Sequence, residues 1–181
     1  MKRLRSYMAL AEIYIEEYKS IKHYFSIISN KLIIVNMPFI KVYIHFVWCT
    51  KNRVPFLETR EIRQIMWDHI RENAKEKGIH IDFINGYSEH CNCLISLGVD
   101  QTIQKVMQLI KGESSFWMNK QKLILDKFEW QDEYFAVSVS ESIIDRVRNY
   151  IKNQEQHHSK KSFGDEYDEF IIKYGFQKFA D

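Results

Sequence analysis

Two short runs, "IHIDFING" (79–86) and "CNCLISL" (91–97), are separated only by a turn over Gly86 to Glu89 and His90. Parallel strands need a crossover of about a dozen residues or more, so these two can pair only as an antiparallel hairpin. That excludes a doubly wound parallel sheet for this part of the chain. Around it the other elements follow from periodicity. Phe39 to Thr50 is almost wholly apolar, β-branched or aromatic, which predicts a strand buried on both faces, followed by a basic turn "KNRVP". Thr59 can cap a helix of about 60–77 carrying Ile62, Ile65, Met66, His69, Ile70 and Asn73, with Gly78 at its end. Asp100 can cap a second helix, about 101–120, with Ile103, Val106, Met107 and Ile110 inward and Phe116 and Trp117 near its close. "FEWQDEYFAVSVS" (128–140) supplies a last, ragged strand region. From Ser140 a helix carrying Ile143, Ile144, Val147 and Ile151 runs to about His158, and "SFGDEYDEFIIKYG" forms a short terminal helix.

The order strand, helix, strand, strand, helix, strand predicts an α+β fold. Its core is a ferredoxin-like split βαβ arrangement with an antiparallel sheet, two helices on one face, C-terminal helices beyond, and the other face free for a site or a partner. Residues 1–36 stand apart from this domain, which spans 37–181. They read as a helix over 8–27 and a strand over 31–35, or alternatively as an extension outside the functional domain arising from an upstream start. Because the first strand is apolar on both faces, one side needs more cover than the two core helices provide. A two-fold partner is the simplest source, with residues 1–36 as the alternative.

Composition narrows the function classes. The net charge is +2, split as +3 over residues 1–36 and −1 over the rest, so any nucleic-acid site must be a local patch. Three cysteines, Cys49, Cys91 and Cys93, and no secretory leader pattern predict reduced thiols in a cytoplasmic protein. No apolar run reaches membrane-spanning length.

In the hairpin's second strand, period-two alternation puts Cys91, Cys93, Ile95 and Leu97 on one face and His90 and Asn92 on the other, beside Glu89. Such a pair can hold a small ion or a phosphate; an exposed strand start that binds nothing is the plain alternative. Later in the chain, Tyr150 and Gln154 stand at i and i+4. A phenol can attack phosphorus and an amide oxygen can ligate a hard cation, while a half-buried packing tyrosine is the competing reading. His157 and His158 read as solvent-facing or phosphate-contacting. Lys51, Asn52 and Arg53 of the basic turn, and Lys111, Ser115 and Trp117 of the second helix, offer charge, hydroxyl and a stacking ring to a nucleic acid.

These segments resemble the single-tyrosine transposases of the IS200/IS605 type and their relatives associated with repetitive extragenic palindromes. The resemblance rests on "VYIHFVWCTKNRVPFL", "INGYSEHCNCLISL", "IQKVMQLIKGESSFWMN", "FEWQDEYFAVSVSES" and "VRNYIKNQEQHHSKKSFGDEYDEFIIKYG", over about Pro38 to Phe176. It implies a homodimeric, Mg2+- or Mn2+-dependent nuclease and strand transferase. Such an enzyme acts on single-stranded DNA with hairpin ends through a 5′-phosphotyrosine. The tyrosine helix of one subunit then completes the metal site of the other. By the same resemblance Tyr150 is the nucleophile, and His90 and Gln154 are metal ligands. Asn92 stands where the family's motif has a second histidine, as a third ligand by position. That departure implies an alternative: a hairpin-binding protein derived from a transposase that no longer cuts. A purely structural dimer is the reading that remains if no single strand binds.

Overall fold

The computed structural model describes residues 19, 39–158 and 163–176. The helix and strand expected over 8–27 and 31–35 lie outside the described residues, Lys19 apart. The chain divides between Phe39 and Ile40 into two units, and the sheet and its helices belong to the second.

Strand β1 (Tyr43–Cys49) is shorter than its apolar run, and Phe39 is fully exposed. A turn of 3-10 helix, Lys51–Arg53, leads to α1 (Arg60–Glu76). The hairpin forms as expected from β2 (His80–Gly86) and β3 (His90–Ser96). Helix α2 (Ile103–Gln121) and β4 (Phe135–Val139) complete a four-stranded sheet in the order β2-β3-β1-β4. All three pairings are antiparallel, the arrangement of a split βαβ core.

One face of the sheet is apolar. Ile44, Phe46 and Trp48 of β1 and Cys91, Cys93 and Ile95 of β3 meet Met66, Trp67, Ile70 and Ala74 of α1 and Val106, Met107, Ile110 and Met118 of α2. Thr59 caps α1 by accepting a hydrogen bond from the Ile62 N–H at 3.2 Å, and Gly78, at φ +69°, takes the left-handed turn that ends it. At α2 the cap is Thr102, which accepts from the Lys105 N–H at 3.2 Å, and not Asp100. The intervening turn closes instead through Gln101, whose Oε1 accepts from the Gly98 N–H at 2.9 Å.

The opposite face carries the remaining three helices: α3 (Ile144–Lys152), α4 (Gln154–His158) and α5 (Phe163–Tyr174). Ile144 and Ile151 of α3 pack on Leu94 and Val139, while Phe163 and Phe170 of α5 pack with Val47, Cys49 and Phe135. Helices of the same unit therefore cover the second apolar side of β1. The single helix expected from Ser140 to His158 is broken: Glu141–Ile143 is a 3-10 turn, and the α-helix stops at Asn153. A tertiary contact stands at the stop: the Asn85 side chain, from β2, donates to the carbonyls of Ile151 and Lys152 at 3.1 and 3.2 Å and so satisfies acceptors that a helix end leaves open.

Among the described residues no helix is long and apolar enough to cross a membrane.

Candidate functional site

His90 opens β3 on the face away from the apolar core and is fully buried. Gly86 allows this, because a Cβ there would stand 2.1 Å from the His90 carbonyl oxygen. The His90 ring stacks on Phe163 of α5, with centroids 4.3 Å apart and planes within 6°. Its Nδ1 lies 3.3 Å from Glu89 Oε1 and its Nε2 3.1 Å from Gln154 Oε1. Both neighbours are acceptors, and a neutral imidazole can donate to only one of them. If Glu89 takes the Nδ1 proton, the Nε2 lone pair and the Gln154 oxygen face the same point, which is the donor arrangement of a cation site with a carboxylate orienting its histidine. Thr50 steadies Glu89 by donating its backbone N–H to the Glu89 carbonyl at 2.8 Å.

Gln154 is a hub. His158 Nε2 approaches the same Oε1 at 3.1 Å and lies 3.2 Å from Glu166 Oε2 of α5. The ligand atoms of His90, His158 and Glu166 fall within 4.8 Å of one another, so a cluster able to coordinate a divalent metal is present. His158 is therefore turned inward, with a side chain only 2% exposed, and is not solvent-facing. Burial pushes the Glu166 carboxyl up to about 7, while His90 pulls the other way. At Glu89, burial opposes ionisation but is outweighed by the hydrogen bonds of His90 and Ser88, and the net shift is downward.

Asn92 is also fully buried, but its amide oxygen meets His45 Nε2 of β1 at 3.0 Å, outside the histidine and carboxylate cluster. Its Nδ2 has no hydrogen-bond partner among the described residues. Burial lowers His45 to about 4, against the opposing effect of the Asn92 bond, so its imidazole is neutral near pH 7.

Tyr150 lies on the other side of His45, ring to ring at 6.0 Å and 79°. Gln154, beyond the break at Asn153, donates its Nε2 to the Tyr150 carbonyl at 3.5 Å and meets His90 through Oε1, while Tyr150 lines a cavity of about 470 Å³ with His45, Arg146, Lys173 and Glu166. Its phenolic oxygen is buried. Glu166 thus touches both the cluster and the tyrosine's cavity.

Of the other candidates, Lys51 and Lys111 meet at Asp132: Lys51 lies 3.5 Å from its carboxylate, and Lys111 donates to its carbonyl at 2.7 Å. Asn52 and Arg53 take positive φ, 54° and 57°, and the Arg53 guanidinium sits 4.7 Å over the Tyr167 ring. Trp117 stacks on His69 at 3.8 Å, so one face of its ring is already occupied, and Ser115 is half-buried on the same helix. The His157 side chain lies outside what is described. Sequence reasoning missed Glu166 and His45. Glu166 had one visible signal, a carboxylate sharing the helical face of Phe163 and Phe170.

Comparison with known proteins gives this geometry a lineage. The family model for IS200-like transposases matches residues 39–154, and the chain belongs to that family. The family brings with it a DNA-cutting transposition chemistry. ISDra2 transposase TnpA of Deinococcus radiodurans is similar, at 27% identity over 116 residues that cover 61% of this chain and 81% of that protein. A crystal structure from Deinococcus radiodurans, provisionally assigned as a transposase, shares the fold with a TM-score of 0.54 at 22% identity over 66% of this chain and 95% of that one. A REP-associated tyrosine transposase bound to a REP hairpin aligns with a TM-score of 0.48 at 17% identity, over 69% of this chain and 72% of that one.

Proposed function

We propose that this transposase is a metal-dependent single-stranded DNA endonuclease and strand transferase acting on hairpin-bearing ends through Tyr150. The observation that carries the reading is the convergence of His90 and His158 on Gln154, four residues beyond a tyrosine, with Glu166 beside them. His90, His158, Gln154 and Glu166 would hold Mg2+ or Mn2+. The bound ion would supply charge neutralisation at the scissile phosphate. The phenolic oxygen of Tyr150 bonds to phosphorus as its proton leaves, and the phosphorus–O3′ bond breaks to free a 3′-OH and leave a 5′-phosphotyrosine. The buried phenol requires the cavity beside α5 to open before a strand can reach it.

The rival reading, a DNA-binding protein that lost cleavage at Asn92, is weakened by the donors His158 and Glu166, which fill a ligand set without Asn92. Positioning of the strand would fall to Lys51, Asn52, Arg53, Lys111, Ser115 and Trp117, with His157 near the cluster. A homodimer is proposed on family grounds. Here Gln154 reaches His90 of its own chain, so a site shared between subunits would need α3 and α4 to exchange. The three free cysteines suit a cytoplasmic setting.

Incubating the protein with hairpin-ended single strands and Mg2+ or Mn2+ should give a covalent adduct on a denaturing gel, absent in Tyr150→Phe. Binding without an adduct in the wild-type protein would favour the rival.

A further inference from the structure

A second cavity, of about 220 Å³, shares no lining residue with the one beside Tyr150. It lies between α1, β2 and the α3–α4 break, and Arg60, Arg63, Arg71, Lys152, Glu155 and Trp67 line it. Four cations thus surround a single lining carboxylate. Glu155 is engaged by Arg63 Nη2 at 3.0 Å and approached by Arg60 Nε at 3.9 Å. Arg71 bonds Asp68 at 3.1 Å and the Ile84 carbonyl at 3.1 Å, while Lys152 is exposed and makes no side-chain bond among the described residues.

The unmet groups are all of one kind. Trp67 and Arg63 are 3% and 7% exposed, and Trp67 Nε1–H and Arg63 Nε–H are buried without a hydrogen-bond partner among the described residues. Buried donors left unmet are costly, and native folds seldom keep them without a ligand or water to accept. Four cations against one lining carboxylate call for an anionic complement. A phosphoryl group meets that demand, and the planar guanidinium fork is suited to its oxygens. Lys152 stands on α3, two residues beyond Tyr150, and Glu155 on α4, next to Gln154.

We propose that this cavity is a phosphate subsite for single-stranded nucleic acid. Arg60, Arg71 and Lys152 contact the phosphodiester oxygens, with Trp67 and Arg63 packed in the cavity wall. The assignment of the strand as the source of the phosphate rests on the function proposed above; the anion chemistry does not.

The indole N–H resonance of Trp67, assigned with Trp67→Phe, reports occupancy directly. It is followed while the full-length protein is titrated with inorganic phosphate, and separately with a short single-stranded oligonucleotide. Both should move the signal. Lys152→Gln changes an exposed side chain and leaves packing intact; it should lower the slope of log affinity against log salt for the oligonucleotide by about 0.7, the value for one lost single-strand phosphate contact. Arg71→Gln should do the same. A signal that moves with phosphate but not with the oligonucleotide overturns the strand assignment. A signal indifferent to both, or a Lys152→Gln slope equal to wild type, overturns the subsite. If Trp67 responds to the oligonucleotide while no covalent adduct forms, the subsite stands and the nuclease reading falls.

Discussion

The two faces of the sheet are built from alternate residues of the same strands and differ in character. Toward α1 and α2, β1 and β3 present Phe46, Trp48, Cys91, Cys93 and Ile95, all buried and apolar. Toward α3, α4 and α5 the same strands mix polar His45, His90 and Asn92, all buried, with apolar Val47, Cys49 and Leu94. Burying polar groups costs stability unless each finds a partner, and Asn92 Nδ2 has none among the described residues. The first face is uniformly apolar, while the second sets buried polar groups among apolar ones, an arrangement that folding alone does not require. Substitutions should divide accordingly.

The largest effect is expected on the apolar face. Phe46 is fully buried between β3 and β4, and Phe46→Ala should cost about 3–5 kcal/mol in urea unfolding, enough to threaten the fold and every activity with it. A cost under about 1 kcal/mol would break the contrast between the faces.

Next comes the pH response of the polar face. His45 is held near 4, below its ordinary 6.5, so the folded state prefers the neutral ring. The resulting stability is fully present above about pH 6.5 and is lost as pH falls through that value toward 4, by roughly 3 kcal/mol in all. His45→Gln should flatten this limb of the stability-against-pH curve. An unchanged acid limb in that variant would assign the loss to other groups.

Smaller in energy, but more specific, is metal affinity. Glu166→Gln keeps the side-chain shape, and Glu89→Gln removes the carboxylate behind His90. Each should weaken Mn2+ binding about 10- to 100-fold by calorimetry, with little change in thermal midpoint without metal. Loss of folding with unchanged affinity would reverse the roles assigned to the two faces.

The smallest expected effect is again on the apolar side. Thr102→Ala should cost about 1 kcal/mol through the lost α2 cap and leave Mn2+ binding alone, while Asp100→Ala should leave stability nearly unchanged.

Much of this division was visible before any coordinates. Period-two alternation separated His90 and Asn92 from Cys91 and Cys93, and the tight turn made β2 and β3 a hairpin, because both features depend only on neighbours along the chain. The i, i+4 relation of Tyr150 and Gln154 was equally local: Gln154 Nε2 donates to the Tyr150 carbonyl at 3.5 Å, while its Oε1 meets His90 and the Tyr150 ring meets His45. What periodicity could not show is Asn85, more than sixty residues earlier, whose side chain donates to the carbonyls of Ile151 and Lys152 where the helix ends.

The sequence by itself determined the strands, the helices, which side of each is apolar, and the family, because these are written in short-range periodicity and in runs of matched residues. Only the tertiary structure decided what the polar side chains do. It brought Glu166 and His158 to His90, and gave Asn92 to His45. Those meetings join β1 to β3, and β3 to α4 and α5, across 47 to 76 residues of chain. No local pattern encodes them, since they arise from how separately formed elements pack around one another.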